Sequence, residues 1–273
     1  QATYDNLEYF FNRDPLTMLA NRRYFISEKD NAIKVALEKN KKVALLFIDL
    51  DYFKDINDSL GHNVGDKLLQ AVSNKLLKIV EELGLVGRFG GDEFVVLMNK
   101  FDSDKKIKKI VIQILESFEE KFEISNLILK ISASIGISFF PNDANSTTEL
   151  IKQSDLAMYH SKELGRNTYS FFTKELSNNL EEKIKIINAL KEALENKDEF
   201  QLLYQPKIST KTGKMVSIES LIRWNSKTLG YVYPSKFISI AEETNMIIPL
   251  GEWILKQACN DFQKLIKEGL ELE

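Results

Sequence analysis

Two short acidic segments carry the residues with the clearest chemical potential. Asp92 and Glu93 follow a glycine pair inside an otherwise apolar run, and Asp49 and Asp51 end the apolar run VALLFIDLD. If these segments lie side by side, three or four carboxylates converge. Mg²⁺ binds a few carboxylate oxygens together with substrate phosphates, and two such ions can activate a hydroxyl and stabilise a leaving phosphate. The pattern indicates metal-assisted phosphoryl transfer; the alternative is that each acid is a cap or turn residue.

Strands and a hairpin must position these acids. The run VALLFIDLD predicts a buried strand whose end reaches the surface. LVGRF and EFVVLM flank Gly90 and Gly91, which predicts a hairpin, since glycines tolerate the positive φ of a tight turn and allow a ligand close to the backbone. Asp49 and Asp51 are two residues apart, so an extended strand would place them on one face.

Helical patterns alternate with the strands. The apolar spacing and capping residues predict helices at about 1–13, 22–40, 64–83, 103–122 and 146–165. Two further strands are predicted in LKISASIGISFF and TYSFF. This order predicts an α+β domain in which helices pack on a mostly antiparallel sheet.

Composition excludes several classes of protein. The chain has 273 residues, 44% hydrophobic and 28% charged, with a net charge of −3. It contains no run of about 18 uncharged apolar residues, and the charge argues against an extended surface for a nucleic acid polymer. Cys259 is the single cysteine, so internal disulfides are excluded, and we expect it to be a buried small apolar residue. We expect a cytoplasmic fragment of a longer protein, which could be anchored to a membrane elsewhere.

Five segments, in order, resemble the GGDEF domains of the diguanylate cyclase family. They are DPLTMLANRRYF, FIDLDYFKDINDSLGHNVGDKLL, GGDEF, SIGIS and SDLAMYHSKELGRNTY, within residues 12–173. The resemblance implies a polymerase-palm-like, ferredoxin-like α+β fold. It also implies condensation of two GTP into cyclic di-GMP with release of pyrophosphate, by a homodimer.

The resemblance assigns roles to individual residues. Mg²⁺ or Mn²⁺ would be bound by Asp49, Asp92, Glu93 and the backbone carbonyl of Leu50, with Asp51 structural. The residues implied to contact substrate or take part in catalysis are Asn57 and Asp66 for guanine, Lys162 and Arg166 for the terminal phosphates, Gly90 and Gly91 in the turn, Lys54 for phosphate, and Arg88 for the hairpin or phosphate. Lys162 and Arg166 are four residues apart around a helix end, which would let them face one ligand.

The chain departs from the family at a site for product. Many members carry Arg-x-x-Asp before the signature as an inhibitory product site, whereas here Glu81 and Gly84 occupy the two positions. We therefore expect weak inhibition by cyclic di-GMP.

The second half resembles the start of an EAL domain, the cyclic di-GMP phosphodiesterase family. YQP and ESLIRW carry the resemblance, which implies Glu219 as a metal ligand and Gln205 and Arg223 as dinucleotide contacts. The family fold is a TIM-like barrel, and only a partial β/α segment is present. We expect a lead-in at 1–13, a GGDEF domain at 14–175, a helical connector at 176–198 and a truncated EAL part at 199–273, without phosphodiesterase activity.

Three functions remain open. The first is a diguanylate cyclase in a tandem GGDEF–EAL signalling protein, with a sensor domain upstream. The second is a regulatory module that binds GTP and controls an EAL domain. The third is a dimerising scaffold, which would have no reason to keep the guanine and phosphate residues together.

Overall fold

The computed structural model describes residues 10–270 and divides into two compact units. The first unit extends to Ser177 and the second begins at Asn178. Within the described residues, no helix has the length and apolar character needed to cross a membrane. Residues 1–9, which hold most of the predicted lead-in helix, lie outside the described part.

A six-stranded sheet organises the first unit. Its strands are β1 (Ala20–Asn21), β2 (Val43–Leu50), β3 (Gly84–Gly90), β4 (Glu93–Met98), β7 (Ala133–Phe140) and β8 (Thr168–Phe171). They lie in the order β1-β3-β4-β2-β7-β8, with antiparallel pairing at the three central junctions and parallel pairing at both edges. Strand β2 is therefore paired on both sides, and its end is held between the β3–β4 hairpin and β7.

Helices cover both faces of this sheet. They are α1 (Arg22–Lys39), α2 (Phe53–Leu60), α3 (His62–Val80), α4 (Asp104–Glu119) and α5 (Thr147–Glu163). Alternate residues of β2 enter two separate cores: Leu46 and Ile48 pack with α2, α3 and α4, whereas Leu45 and Phe47 pack with α1 and α5. This alternation follows from the two-residue period of a strand. It places the next residue on the second face, Asp49, toward α1 and α5.

A glycine sets how closely α5 approaches the sheet. A Cβ built on Gly136 of β7 would lie 1.9 Å from the Ser154 backbone oxygen, so only glycine fits there. The hydroxyl of Ser161, further along the same helix, donates to the Ile135 backbone oxygen at 2.8 Å. These two contacts fix the last turn of α5 against β7, and this turn carries Lys162.

The predicted helices and strands of the described residues are present, but α2 and the two-residue strand β1 were not predicted, and the strand LKISASIGISFF differs. Only β7 belongs to the main sheet; Leu127–Leu129 forms β6, which pairs with β5 (Phe122–Ile124) in a separate hairpin. Ser125 and Asn126 form its turn with positive φ of 50° and 65°. The predicted helix 103–122 consequently ends earlier, at Glu119.

The second unit packs helices on one face of a three-stranded sheet. Its strands β9 (Phe200–Ile208), β10 (Met215–Ser226) and β11 (Gly230–Val232) lie in the order β11-β10-β9 and are antiparallel. The helices are α6 (Lys174–Asn196), which begins in the first unit, α7 (Pro234–Glu243) and α8 (Ile247–Lys267). Leu190 of α6 is fully buried with Trp224 and Phe237. The second half of α6 is thus part of this core rather than a free linker.

Candidate active site

The acids of the two segments meet at the end of β2. Asp49 pairs directly with Glu93 across the β2–β4 junction, so their side chains lie on the same face of the sheet. The Leu50 backbone N–H donates to the Asp92 backbone oxygen at 3.3 Å, which fastens the strand end to the hairpin turn. Asp49 is only 8% exposed. The predicted convergence of Asp49 with the hairpin acids is present.

A lysine from α5 completes this cluster. Lys162 Nζ lies 2.8 Å from Asp49 Oδ1 in a partly buried ion pair. Burial raises the pKa of Asp49, the bond and charge of Lys162 lower it in part, and Asp92 and Asp51 raise it further, so that the net pKa lies above the usual value. The resemblance placed Lys162 on phosphate; here it neutralises a predicted metal ligand.

Two further charged residues, to which the sequence assigned no role, act on Glu93. Burial raises the pKa of Glu93, as do the charges of Asp155, Asp49 and Asp92, while Arg22 lowers it. Asp155 lies on α5 seven residues before Lys162, a spacing that places both on one helix face. That spacing was the available signal for Asp155. Arg22 begins α1 and lies over the Phe89 ring at 5.3 Å.

Asp51 has a structural environment. Its carboxylate accepts hydrogen bonds from the hydroxyls of Ser132 and Ser134, both at 2.7 Å, and from the Asn167 backbone N–H at 3.0 Å. The strand ends at Leu50, so Asp49 and Asp51 have different partners. These bonds occupy Asp51, and they join the starts of β7 and β8 to the end of β2.

Arg88 holds the hairpin. Its guanidinium donates to both carboxylate oxygens of Asp14 at 3.0 and 3.2 Å and to the Gly91 backbone oxygen at 2.8 and 3.1 Å. Gly90 and Gly91 have φ of +148° and +50°, and a Cβ on either would meet nothing within 4 Å. The glycines therefore serve the turn conformation and leave an open approach to the backbone. Of the two roles expected for Arg88, the contacts favour orienting the hairpin.

A second group of predicted substrate residues lies where α2 and α3 meet. The Oδ1 atom of Asn57 is buried and has no hydrogen-bond partner in the protein. A Cβ on Gly65 would lie 2.0 Å from that oxygen, so the lack of a side chain at Gly65 is what allows Asn57 to pack there. Asp66 follows on α3 and is exposed. An amide oxygen without a partner and an exposed carboxylate are both able to accept hydrogen bonds from a base edge.

The remaining phosphate candidates differ in placement. Helix α5 ends at Glu163, and Arg166 has a φ of +66°, so the helical four-residue spacing to Lys162 does not hold. Arg166 instead stacks over the Tyr52 ring at 4.9 Å, just beyond the end of β2. Lys54 is exposed in the first turn of α2.

The cluster suits a hard cation only in part. Among the described residues, no three His, Cys, Asp or Glu side chains are arranged so that they could hold a metal ion by themselves. The donor chemistry nevertheless fits Mg²⁺ or Mn²⁺, because all the acids at this point supply oxygen ligands. Burial is the largest cause of the raised pKa values of Asp49 and Glu93 and neighbouring acids add to it, so a bound cation would stabilise the ionised carboxylates.

The second unit presents a smaller polar surface. Glu219 pairs directly with Gln205 across β9 and β10, and Arg223 pairs with Gln201 on the same face. Lys207 Nζ lies 3.0 Å from Glu219 Oε2. The opposite face carries Trp224 and packs against the helices.

The expectation that Cys259 is buried is wrong. Cys259 is exposed and lines an apolar groove between α8 and strands β9 and β10, together with Leu255 and Phe262. Neighbours on that helix, Leu255 among them, are also exposed, so the apolar pattern of the sequence did not indicate burial here.

Comparison with protein families identifies the class. The family described as "Diguanylate cyclase, GGDEF domain" matches residues 11–168, and the EAL domain family matches residues 187–272. The chain belongs to the GGDEF family, and it continues into part of an EAL domain. It therefore carries a region of a GGDEF–EAL signalling protein.

Individual relatives agree with this assignment. The chain is 37% identical over 259 residues to the bifunctional diguanylate cyclase/cyclic di-GMP phosphodiesterase MucR of Pseudomonas aeruginosa, covering 94% of this chain and 37% of MucR. It is 36% identical over 268 residues to the cyclic di-GMP phosphodiesterase PdeR of Escherichia coli, covering 98% and 40%. The chain thus spans well under half the length of these relatives.

Solved structures support the fold. A GGDEF-only form of YfiN (TpbB) from P. aeruginosa matches with a TM-score of 0.60 and 34% identity, covering 62% of this chain and 99% of that one. The first unit accordingly has the mixed α+β, palm-like fold of GGDEF domains.

Proposed function

We propose that the first unit is a diguanylate cyclase that condenses two GTP into cyclic di-GMP and releases pyrophosphate. The observation that carries the proposal is the pairing of Asp49 with Glu93 beside Asp92, at a strand end that Lys162 also reaches. Carboxylates and a lysine ammonium group at the end of one strand suit phosphoryl transfer, in which catalysis is mainly positioning and charge stabilisation.

The residues divide the work by their surroundings. Asn57 and Asp66 bind guanine, and the open turn at Gly90 and Gly91 lets the phosphates approach the backbone. Asp49, Asp92 and Glu93 hold Mg²⁺ or Mn²⁺, with the Leu50 carbonyl as a further ligand. A bound cation of this kind polarises a phosphate and lowers the pKa of an attacking hydroxyl.

The reaction needs two copies of the chain. The 3′-oxygen of each GTP forms a bond to the α-phosphorus of the other, so that two ester bonds form, two hydroxyl protons leave to solvent, and two pyrophosphates depart as the two α–β P–O bonds break. In this proposal, Asn57 and Asp66 bind one guanine and the acids at the end of β2 serve one GTP. A homodimer must therefore bring two bound nucleotides face to face. Lys162, Arg166 and Lys54 are the cations available to the phosphates, and Arg88 keeps the hairpin in place.

The second candidate is a GTP-binding regulatory domain. It is favoured by the relatives named as phosphodiesterases, PdeR and the NbdA protein of P. aeruginosa, which is 35% identical over 258 residues. Both functions need the same nucleotide pocket. They separate only in whether bound GTP is converted.

One experiment distinguishes the two. The purified chain is incubated with GTP and Mg²⁺, and the nucleotides are separated by chromatography while GTP binding is measured by calorimetry. Cyclic di-GMP formation supports the cyclase, whereas binding without product supports the regulatory domain. If the chain neither binds GTP nor forms product, both functions are contradicted and the dimerising scaffold remains.

A further inference from the structure

The ion pair between Lys162 and Asp49 occupies the place where a cation is proposed to bind. Lys162 Nζ lies 2.8 Å from Asp49 Oδ1, and the Asp49 side chain is 12% exposed. Mg²⁺ binds carboxylate oxygens at about 2.0–2.1 Å. An ammonium group at hydrogen-bond distance and a divalent cation would repel each other strongly on one carboxylate in a solvent-poor setting.

Of the two partners, only Lys162 is free to move. The backbone of Asp49 is paired with Glu93 on one side and Ser134 on the other, so its short side chain stays at the end of β2. Lys162 lies in the last turn of α5, and its side chain is 27% exposed. Four rotatable bonds let its ammonium group move while the helix stays in contact with β7.

We propose that Lys162 exchanges partners during loading: it neutralises Asp49 in the cation-free site and transfers to the nucleotide phosphates when cation and GTP bind. This inference rests on the proposed function of the same site. It makes Lys162 a counterion that suppresses binding of the cation alone. Because GTP offers the displaced ammonium group a new partner, cation and nucleotide bind with positive coupling.

The surrounding charges agree with this exchange. If Lys162 left Asp49 and nothing replaced it, the three acids Asp49, Asp92 and Glu93 would remain together. Arg22 would then be the positive charge that acts on Glu93. The net charge then favours entry of a divalent cation. Lys162 therefore offsets part of the acidic charge before loading, and the divalent cation offsets it after loading.

The test measures Mn²⁺ binding in the absence of nucleotide, by electron paramagnetic resonance of free Mn²⁺. Lys162→Met should bind Mn²⁺ about tenfold more tightly than the parent, because a repelling charge is removed. Lys162→Gln is the second neutral variant if the first folds poorly, and Lys162→Arg should bind as weakly as the parent. Lys152→Met, an exposed lysine on the same helix, is the matched control and should equal the parent.

A second titration at saturating GTP completes the test. The parent should bind Mn²⁺ more tightly with GTP than without, and this gain should shrink in Lys162→Met. Mn²⁺ binding by the neutral variants that is equal to or weaker than the parent's would overturn the exchange. The titration without nucleotide involves no turnover, so its result is independent of whether the chain forms cyclic di-GMP.

Discussion

Arg88 and Asp14 form a two-bond ion pair that connects the segment before α1 to the signature hairpin. The side chains of Arg88 and Asp14 are 11% and 16% exposed, so the pair is largely shielded from solvent. The same guanidinium also holds the Gly91 backbone oxygen. The position of the proposed metal ligands after Gly91 therefore depends on a residue more than 70 positions earlier in the chain.

This pair predicts a specific acid sensitivity. Burial raises the pKa of Asp14, but hydrogen bonds from Thr17 and the bond and charge of Arg88 lower it by more. An acid with a lowered pKa contributes stability that is present above its unfolded value, about 3.9, and is lost as pH falls through the folded value.

Asp14→Asn should therefore lower the melting temperature at pH 7 by about 3 °C and remove this part of the acid-dependent loss. Melting curves between pH 7 and pH 3 provide the measurement, with Asp102→Asn, at an exposed position, as control. Parallel pH profiles for parent and Asp14→Asn would contradict the assignment.

The ionised side chain of Glu93 should lower the stability of the cation-free protein while being required for cyclic di-GMP formation. Its raised pKa means that its ionised form is disfavoured in the folded protein, so stability decreases as pH rises through the range between its unfolded and folded values. Glu93→Gln should raise the melting temperature of the cation-free protein at pH 7 by about 2 °C and abolish most cyclic di-GMP formation. Glu116→Gln, on exposed α4 surface, should change neither. A less stable Glu93→Gln protein would count against an unfavourable charge at this position.

Gly65 should control nucleotide selectivity. An alanine Cβ would lie 2.0 Å from Asn57 Oδ1, so Gly65→Ala must displace that side chain from its buried position. Preference for GTP over ATP should fall by about tenfold or more, since a site with groups meant for one base edge discriminates through them. Calorimetric titration with both nucleotides measures the change. Gly251→Ala, where a Cβ meets nothing within 4 Å, is the control; unchanged selectivity in Gly65→Ala would argue against a guanine role for Asn57.

Product inhibition should be weak. The turn Glu81–Leu83 precedes β3, and the sequence places glutamates at 81 and 82 where an anionic dinucleotide would be repelled. We expect added cyclic di-GMP to inhibit only by competing with GTP. Non-competitive inhibition that weakens when Glu82 is changed would show a product site here.

The sequence predicted the architecture well because the signals were local and periodic. The apolar run VALLFIDLD and the glycine pair predicted β2 and the β3–β4 hairpin, and the pairing of these strands in the structure brings Asp49 to Glu93. The short β5–β6 hairpin was missed because its three-residue strands merge with the apolar run that follows.

The electrostatic partners could not be predicted in the same way. The contact between Lys162 and Asp49 depends on how closely α5 lies on β7. The absence of a side chain at Gly136 permits this close approach, and the periodicity of the sequence does not predict it. The hydrogen bonds of Asp51 likewise join three separated segments. Family resemblance suggested that Asp51 is structural, and the geometry supplies the physical reason.

The measurement that tests the central proposal most directly is cyclic di-GMP formation from GTP and Mg²⁺ by the parent, Asp92→Asn and Asp102→Asn. Asp92→Asn removes a proposed cation ligand, whereas Asp102→Asn changes an exposed residue outside the site. The account predicts product from the parent and Asp102→Asn, and a loss of at least about a hundredfold in Asp92→Asn, as expected when charge stabilisation of the transition state is removed. Equal rates of product formation by Asp92→Asn and the parent would contradict it.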